Sequence, residues 1–379
     1  MDALHPAGHP PDASPAPGPP GRPQPHRILM RGAAVCGVLS LLVIAAELGP
    51  ASFALGMALA VVPVPVYVAL ALWLDRFEPE PALTLAQTFV WGATVAVFLS
   101  LLFNTFADAV TAGVLGPEAA EVFGSVVMAP VIEELAKGLA LLFLYSELHD
   151  EFDGVVDGVV YAAMVGLGFA MIENVQYYGA AFEEGVESPT LTFVVRGIAA
   201  PFAHPLFTSM YGIGLGWVRE NHGRVSRALA PTLGLAAAVV LHSLWNLSAS
   251  FTDWFTLLYG AIMVPAFLGV IALIHLSLKR EGRILREHLA SLVDDGVIDA
   301  AELDCLCGVR RRLRASLRAW RQGGVARWRE RREMHRIASE LAFHRWRVLR
   351  GITLGPDGDA RREAEYLHRL RQLCRGREM

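Results

Sequence analysis

The stretch "APVIEELAKGLALLFLY", residues 129–145, decides how the chain is read. It has the apolar character of a membrane-spanning helix, yet it carries Glu133, Glu134 and Lys137. An ionisable group costs roughly 3 kcal/mol at the centre of a bilayer. On a helix, Glu133 and Lys137 are i,i+4 neighbours, and Glu134 and Lys137 are i,i+3. The lysine pairs one carboxylate. The spare one must meet water, a proton, a metal or a group on another helix.

The rest of the chain supports a membrane setting. Of its 379 residues 54% are hydrophobic and 18% charged, and the mean hydropathy is +0.40. That is too apolar for an ordinary soluble protein of this size. Uncharged runs long enough to span recur between residues 28 and 278. They predict an all-α, polytopic membrane bundle of about eight spans: 28–48, 51–74, 82–106, 122–145, 155–180, 193–217, 229–250 and 254–278. A tight turn at Gly49-Pro50 joins the first two. Residues 1–25, rich in Pro, Ala and Gly, are expected to be disordered, and they do not resemble a cleaved signal peptide.

Charge orients the bundle. Residues 1–31 hold 3 basic against 2 acidic residues, 32–278 hold 6 against 20, and 279–379 hold 24 against 15. With the N-terminus inside, Arg22, Arg27, Arg31, Arg76, Arg219, Arg224, Arg227 and the basic tail all fall inside. The loops near 107–121, 181–192 and 251–253 then fall outside and contain no Lys or Arg. Both termini are therefore expected in the cytoplasm and residues 26–278 in the cell inner (plasma) membrane. Residues 279–379 should form a small Arg-rich helical cytoplasmic tail, with Gly as breakers and its Trp and Leu stripes as core. Anionic lipid suits its charge better than nucleic acid, and no nucleotide-binding loop is present. Lys137 and Lys279 are the only lysines, a bias toward Arg that suggests a high-GC bacterial genome. Four cysteines form no disulfide framework or zinc-ribbon spacing.

The three spans after Glu133 carry matching polar groups. "GFAMIENVQYY" holds Glu173 and Asn174; "RGIAAPFAHPLFTSMYG" holds His204 between Pro201 and Pro205, with Thr208 one turn on. "LHSLWNLSAS" holds His242 and, on the same face, Asn246. Each alone reads as interhelical glue. Together, on four consecutive spans, they read as a site. The glycines of "GLGF" and "GIGLG" are expected to let helices approach closely. A hydrolase would use one Glu as general base, with the histidines binding a metal or stabilising an oxyanion. Two His and a Glu are a zinc ligand set, although no H-E-x-x-H is present. An ion- or proton-coupled transporter would use the same cluster as a relay, and a catalytically dead scaffold is a third reading.

The motifs "EELAK" at 133–137, "FAMIE" at 169–173, "HPLFT" at 204–208 and "HSLWN" at 242–246 resemble those of PrsW-type intramembrane proteases. The resemblance covers roughly residues 60 to 275. That family is distantly related to the CAAX prenyl proteases and bacteriocin-processing enzymes. The resemblance implies an endopeptidase acting on single-pass membrane proteins such as anti-sigma factors. It implies Glu133, Glu134, Lys137, Glu173, His204 and His242 as the functional set, with Asn246 and His242 at the oxyanion. It also implies a divalent metal such as zinc on Glu173, His204 and His242 if the enzyme is a metalloprotease, or a glutamate-activated water if it is not. Helical spacing gives Glu133 to the lysine and frees Glu134; the CAAX analogy favours the first Glu as base.

Overall fold

The computed structural model describes residues 25–74, 77, 79–148, 151–184, 187–221, 223–250, 256–351 and 355–375. The disorder expected for the N-terminus, Arg22, Arg76 and the loop at 251–253 lie outside these residues. Among those described, every regular element is helical.

Six stretches are long and apolar enough to cross a membrane: Met30–Leu74, Ala82–Leu115, Val155–Glu183, Pro189–Glu220, Val225–Ala249 and Thr256–Asp294. The first contains two of the expected spans. Helix α1 (Pro25–Val61) breaks direction at Gly49, whose φ of 70° lies where glycine is favoured, immediately before Pro50. The second expected span is itself interrupted at Pro63, after which α2 (Val64–Leu74) begins. The helix that carries Glu133, Glu134 and Lys137, α6 (Ala129–Glu147), has 19 residues but too much charge to pass on apolarity alone.

Boundaries depart from the sequence reading where the backbone finds hydrogen bonds without a loop. α3 (Ala82–Trp91) runs through a π-helical turn, Gly92–Ala96, into α4 (Val97–Leu115). The loop expected at 107–121 shrinks to a turn at Gly116, followed by α5 (Pro117–Phe123) and a second π turn, Gly124–Met128, that leads into α6. α7 (Val155–Glu184) is the central, most buried helix. α8 (Glu187–Phe193) and its π turn, Val194–Ala199, end at Pro201, and α9 (Ala203–Glu220) starts just beyond. The span is thus broken around Pro201. Pro205 sits in the first turn of α9, where its missing N–H costs nothing. α10 (Arg224–Ser250) returns antiparallel, and α11 (Val264–Leu289) runs without interruption from the apolar region past Lys279.

Small residues bring α7 and α9 together. A Cβ on Gly158 would lie 2.2 Å from the Gly212 carbonyl oxygen, and one on Gly212 would lie 2.1 Å from that of Gly158. The two backbones are therefore in direct contact. About two turns further along, a Cβ on Gly166 would strike the backbone of His204 and Pro205. Glycine here sets how near His204 comes to α7.

The tail comprises α12 (Ser291–Asp294), α13 (Ala300–Leu306), α14 (Val309–Leu349) and α15 (Pro356–Arg375). α14 is kinked at Gly323 and Gly324, the glycine breakers. Its C-terminal half supplies Met334, Ile337, Leu341 and Phe343 to one core with Leu285, Leu289 and Leu292. Its N-terminal half contributes Val309, but Leu313, Leu317 and Trp320 stay exposed, so the expected Leu/Trp stripe is not buried before the kink. The tail gathers the ends of the membrane helices on one side. Arg347 pairs with Asp153 at 2.9 Å, Arg350 donates to the Glu220 carbonyl at 3.1 Å, and Arg312 lies 4.5 Å over the Phe77 ring.

Candidate active site

The polar cluster lies in the half of the bundle away from the tail. Glu173 is in the far half of α7, His204 in the first turn of α9, and His242 in the last third of α10. Glu133, Glu134, Lys137, His204 and His242 are all buried. Trp91 donates its indole N–H to the Ala136 carbonyl at 3.1 Å and fixes α6 against α3.

Lys137, with no exposed surface, organises the centre. Its Nζ lies 2.6 Å from Glu134 Oε1 and 3.7 Å from Glu133 Oε2. The lysine thus pairs with the i+3 carboxylate, against the simpler i,i+4 expectation. Two further helices decide the choice: Thr208 on α9 donates its hydroxyl to Glu134 Oε2 at 3.0 Å, and His242 on α10 meets Glu134 Oε1 at 3.0 Å. Glu134 is saturated. Glu133 Oε2, buried and 3.7 Å from His242 Nε2, has no hydrogen-bond partner among the described residues. Such an atom is costly unless something absent from the bare protein meets it.

The second half of the site holds His204. Lys137 has only donors, so its 3.2 Å contact makes His204 Nδ1 an acceptor. The ring proton then sits on Nε2 and points to Glu173 Oε2 at 2.8 Å. Glu173 also forms a close ion pair with Arg196, which donates through Nε to Asn174 Oδ1 at 2.6 Å and lies 3.6 Å over the Tyr177 ring. The F-x-x-x-E spacing acquires a reason: Phe169 places its ring 4.2 Å from the Lys137 ammonium, and Glu173 takes the histidine one turn on. The same logic for His242, with Nδ1–H toward the Glu134 carboxylate, leaves Nε2 as a lone pair facing Glu133.

Asn246 lies one turn beyond His242 on α10. Its Nδ2 donates to the Ser125 carbonyl at 2.8 Å, tying α10 to the π turn that precedes α6. Arg196 is the residue that the sequence reading passed over. The signal was available: between Arg76 and Arg219 the chain has two basic residues, Lys137 and Arg196.

Glu133, His204 and His242 each offer a ligand atom, all within 4.8 Å of one another. The carboxylate in this set is Glu133, where the sequence reading chose Glu173. Glu173 is instead spent on Arg196 and His204, behind the histidine. One carboxylate and two imidazoles suit a divalent metal, and the orphaned Glu133 Oε2 agrees with one. His204 would give up one of its two contacts to serve as a ligand.

A family model described as PrsW family intramembrane metalloprotease matches residues 80–271, half of the chain. The chain belongs to the PrsW family. All four polar motifs fall inside the matched segment. The chain is 34% identical over 142 residues to Protease PrsW of Geobacillus kaustophilus, covering 38% of this chain and 57% of that protein. It is 32% identical over 155 residues to Protease PrsW of Oceanobacillus iheyensis, covering 41% and 66%. It is 28% identical over 182 residues to Protease PrsW of Bacillus subtilis, covering 48% and 76%. The chain thus spans between just over half and two thirds of the length of the first two PrsW relatives. No solved structure matches it significantly. The PrsW likeness and the apolar helices make this a multi-pass membrane protein.

Proposed function

We propose that this chain is an intramembrane endopeptidase in which Glu133 is the general base. The observation that carries the reading is the contrast between the two adjacent carboxylates: Glu134 is held by Lys137, Thr208 and His242, while Glu133 Oε2 has no hydrogen bond. Glu133 Oε2 and His242 Nε2 are two acceptors 3.7 Å apart. A water that donates to both has its own lone pair free for attack.

In the reaction, the water oxygen bonds to the scissile carbonyl carbon and its proton passes to Glu133. Negative charge moves to the carbonyl oxygen. When the C–N bond breaks, Glu133 returns the proton to the leaving amine. The oxyanion falls to Asn246, one turn beyond His242 on the same face, and to the Lys137 ammonium. His242 orients the water rather than holding the oxyanion, because its proton is committed to Glu134. Glu173 and Arg196 keep His204 in one tautomer and one orientation. A divalent metal such as zinc on Glu133, His204 and His242, when bound, would acidify its water and polarise the carbonyl. In that case Glu133 is a ligand, and metal content falls with its substitution.

Substrates in this reading are membrane-anchored proteins with one span, anti-sigma factors among them, cut within or beside the bilayer. Residues 26–278 form the protease unit and 279–379 a tail on its cytoplasmic face. The test is cleavage of a co-expressed single-pass substrate by the whole chain, with metal analysis of the purified protein and a chelator arm. Cleavage lost on Glu133→Gln supports the reading. Undiminished cleavage overturns it. Loss of both metal and activity in chelator assigns the metal form; full activity without metal assigns the glutamate form.

A further inference from the structure

A groove of about 560 Å³ opens on the side of the bundle nearest the tail, between the end of α9 and the middle of α11. It is remote from the polar cluster, and no step above uses it. Its walls change character along their length. Leu273 and Leu276 on α11 and Trp217 on α9 form an apolar part, with Trp217 and Leu276 strongly exposed. Lys279, Arg280 and Arg283 form the other end.

That change coincides with the end of the apolar sequence on both helices. α11 carries no Asp, Glu, Lys or Arg from Val264 to Leu278 and is charged from Lys279 onward; α9 carries none from Ala203 to Val218 and then reads Arg219-Glu220. The groove therefore straddles the boundary between hydrocarbon and headgroups, where tryptophan is favoured. Its charge is unbalanced. Arg280 is paired with Glu220, whose other oxygen accepts from the Val155 N–H at 3.1 Å. Lys279 and Arg283 are exposed and make no ion pair among the described residues. Two unpaired cations thus stand above an apolar trough, within reach of one ligand.

We infer that this groove is a binding site for one anionic phospholipid of the tail-side leaflet. The acyl chain lies along Leu273, Leu276 and Trp217, and the phosphate meets Lys279 and Arg283. A phosphodiester carries the charge these residues lack, and guanidinium and ammonium groups are its usual partners. An apolar peptide segment would fill the trough but leave both cations unanswered. A free phosphate would answer the cations but leave the trough open to lipid tails.

The site is tested with purified full-length protein by native mass spectrometry from mixed micelles of phosphatidylglycerol and phosphatidylcholine. Wild-type protein is expected to retain one phosphatidylglycerol in preference to phosphatidylcholine. The exposed pair Lys279→Gln and Arg283→Gln, which touch no core, should each reduce that preference about fivefold, and the double variant should abolish it. Leu276→Trp, which fills the trough while sparing the charges, should also lower retention. Arg362→Gln, on the distant α15, should leave it unchanged. Equal retention of the two lipids, a preference that survives the double variant, or full displacement by inorganic phosphate would overturn the inference.

Discussion

Glu133 and Glu134 are neighbours in sequence but opposites in the structure. Glu134 Oε1 accepts from Lys137 at 2.6 Å and from His242 at 3.0 Å, while Glu133 Oε2 is buried without a hydrogen bond. One carboxylate builds the site and the other is left to act in it.

The building role predicts a stability cost. Glu134→Gln removes the charge that answers a fully buried ammonium. Breaking one partner of a buried pair costs about 3–5 kcal/mol. Thermal unfolding in detergent should show a large drop, with activity lost alongside. Lys137→Ala should behave likewise, because it strands two carboxylates. A variant of either kind with wild-type stability would show that the network is not what holds these helices.

Arg196 should act through Glu173 and His204. Arg196→Ala leaves the Glu173 carboxylate to His204 alone and frees the imidazole to turn. Loss of such an orienting partner typically costs 10–100-fold. The expected change is in kcat, with KM for the substrate little altered. Arg196→Lys should recover part of the rate, since it restores the charge but not the fork that also reaches Asn174. Equal defects in the Ala and Lys variants would reduce Arg196 to a packing role.

The contact of α7 with α9 should be intolerant of any side chain. Gly212→Ala places a methyl group 2.1 Å from the Gly158 carbonyl oxygen, so the helices must separate. Overpacking of this kind costs about 1–3 kcal/mol. Because Glu173 and His204 sit on these two helices, activity should fall with stability. Gly113→Ala, which meets nothing within 4 Å, is the matched control.

The tail should matter to stability more than to chemistry. Deletion from about residue 285 removes Leu285, Leu289 and Leu292 from a core shared with Phe77, and it removes the Arg347–Asp153 pair. Among the described residues, the tail's ion pairs and hydrogen bonds to the bundle fall at Asp153 and Glu220, on the side away from the polar cluster. Cleavage should persist while the thermal midpoint falls by several degrees. Full loss of turnover in a folded truncation would place the tail within the catalytic unit.

The membrane bundle and the four polar motifs were legible because hydropathy and ionisable residues within it are one-dimensional signals. Other features were not. The choice of Glu134 by Lys137 rests on Thr208 and His242, which reach it from other helices. Arg196 falls inside the expected span 193–217, but its role rests on Glu173 and Asn174, which reach it from α7. π turns at Gly92–Ala96 and Gly124–Met128 leave no compositional mark, and the loop expected at 107–121 shrinks to a turn at Gly116 between two helices. Val175, on α7 beside Glu173, is fully buried, so water does not reach the cluster along that face. A small crevice lined by Asn174, Arg196, Pro201, His204 and Trp245 lies at the end of the bundle away from the tail. A single cysteine at Phe202, in a Cys-free background, should therefore be labelled by an impermeant thiol reagent from the side opposite the tail. Labelling from the tail side alone would reverse the direction of access.

The most direct test of the central claim is the Glu133→Gln variant, reconstituted in proteoliposomes with a single-pass membrane substrate. Glu133 Oε2 makes no hydrogen bond to lose, and Lys137, 3.7 Å away, keeps its closer partner Glu134, so the thermal midpoint should stay near wild type. Cleavage should fall by about 10³-fold or more, the scale of a missing general base. A folded Glu133→Gln protein that cleaves at the wild-type rate would contradict the account.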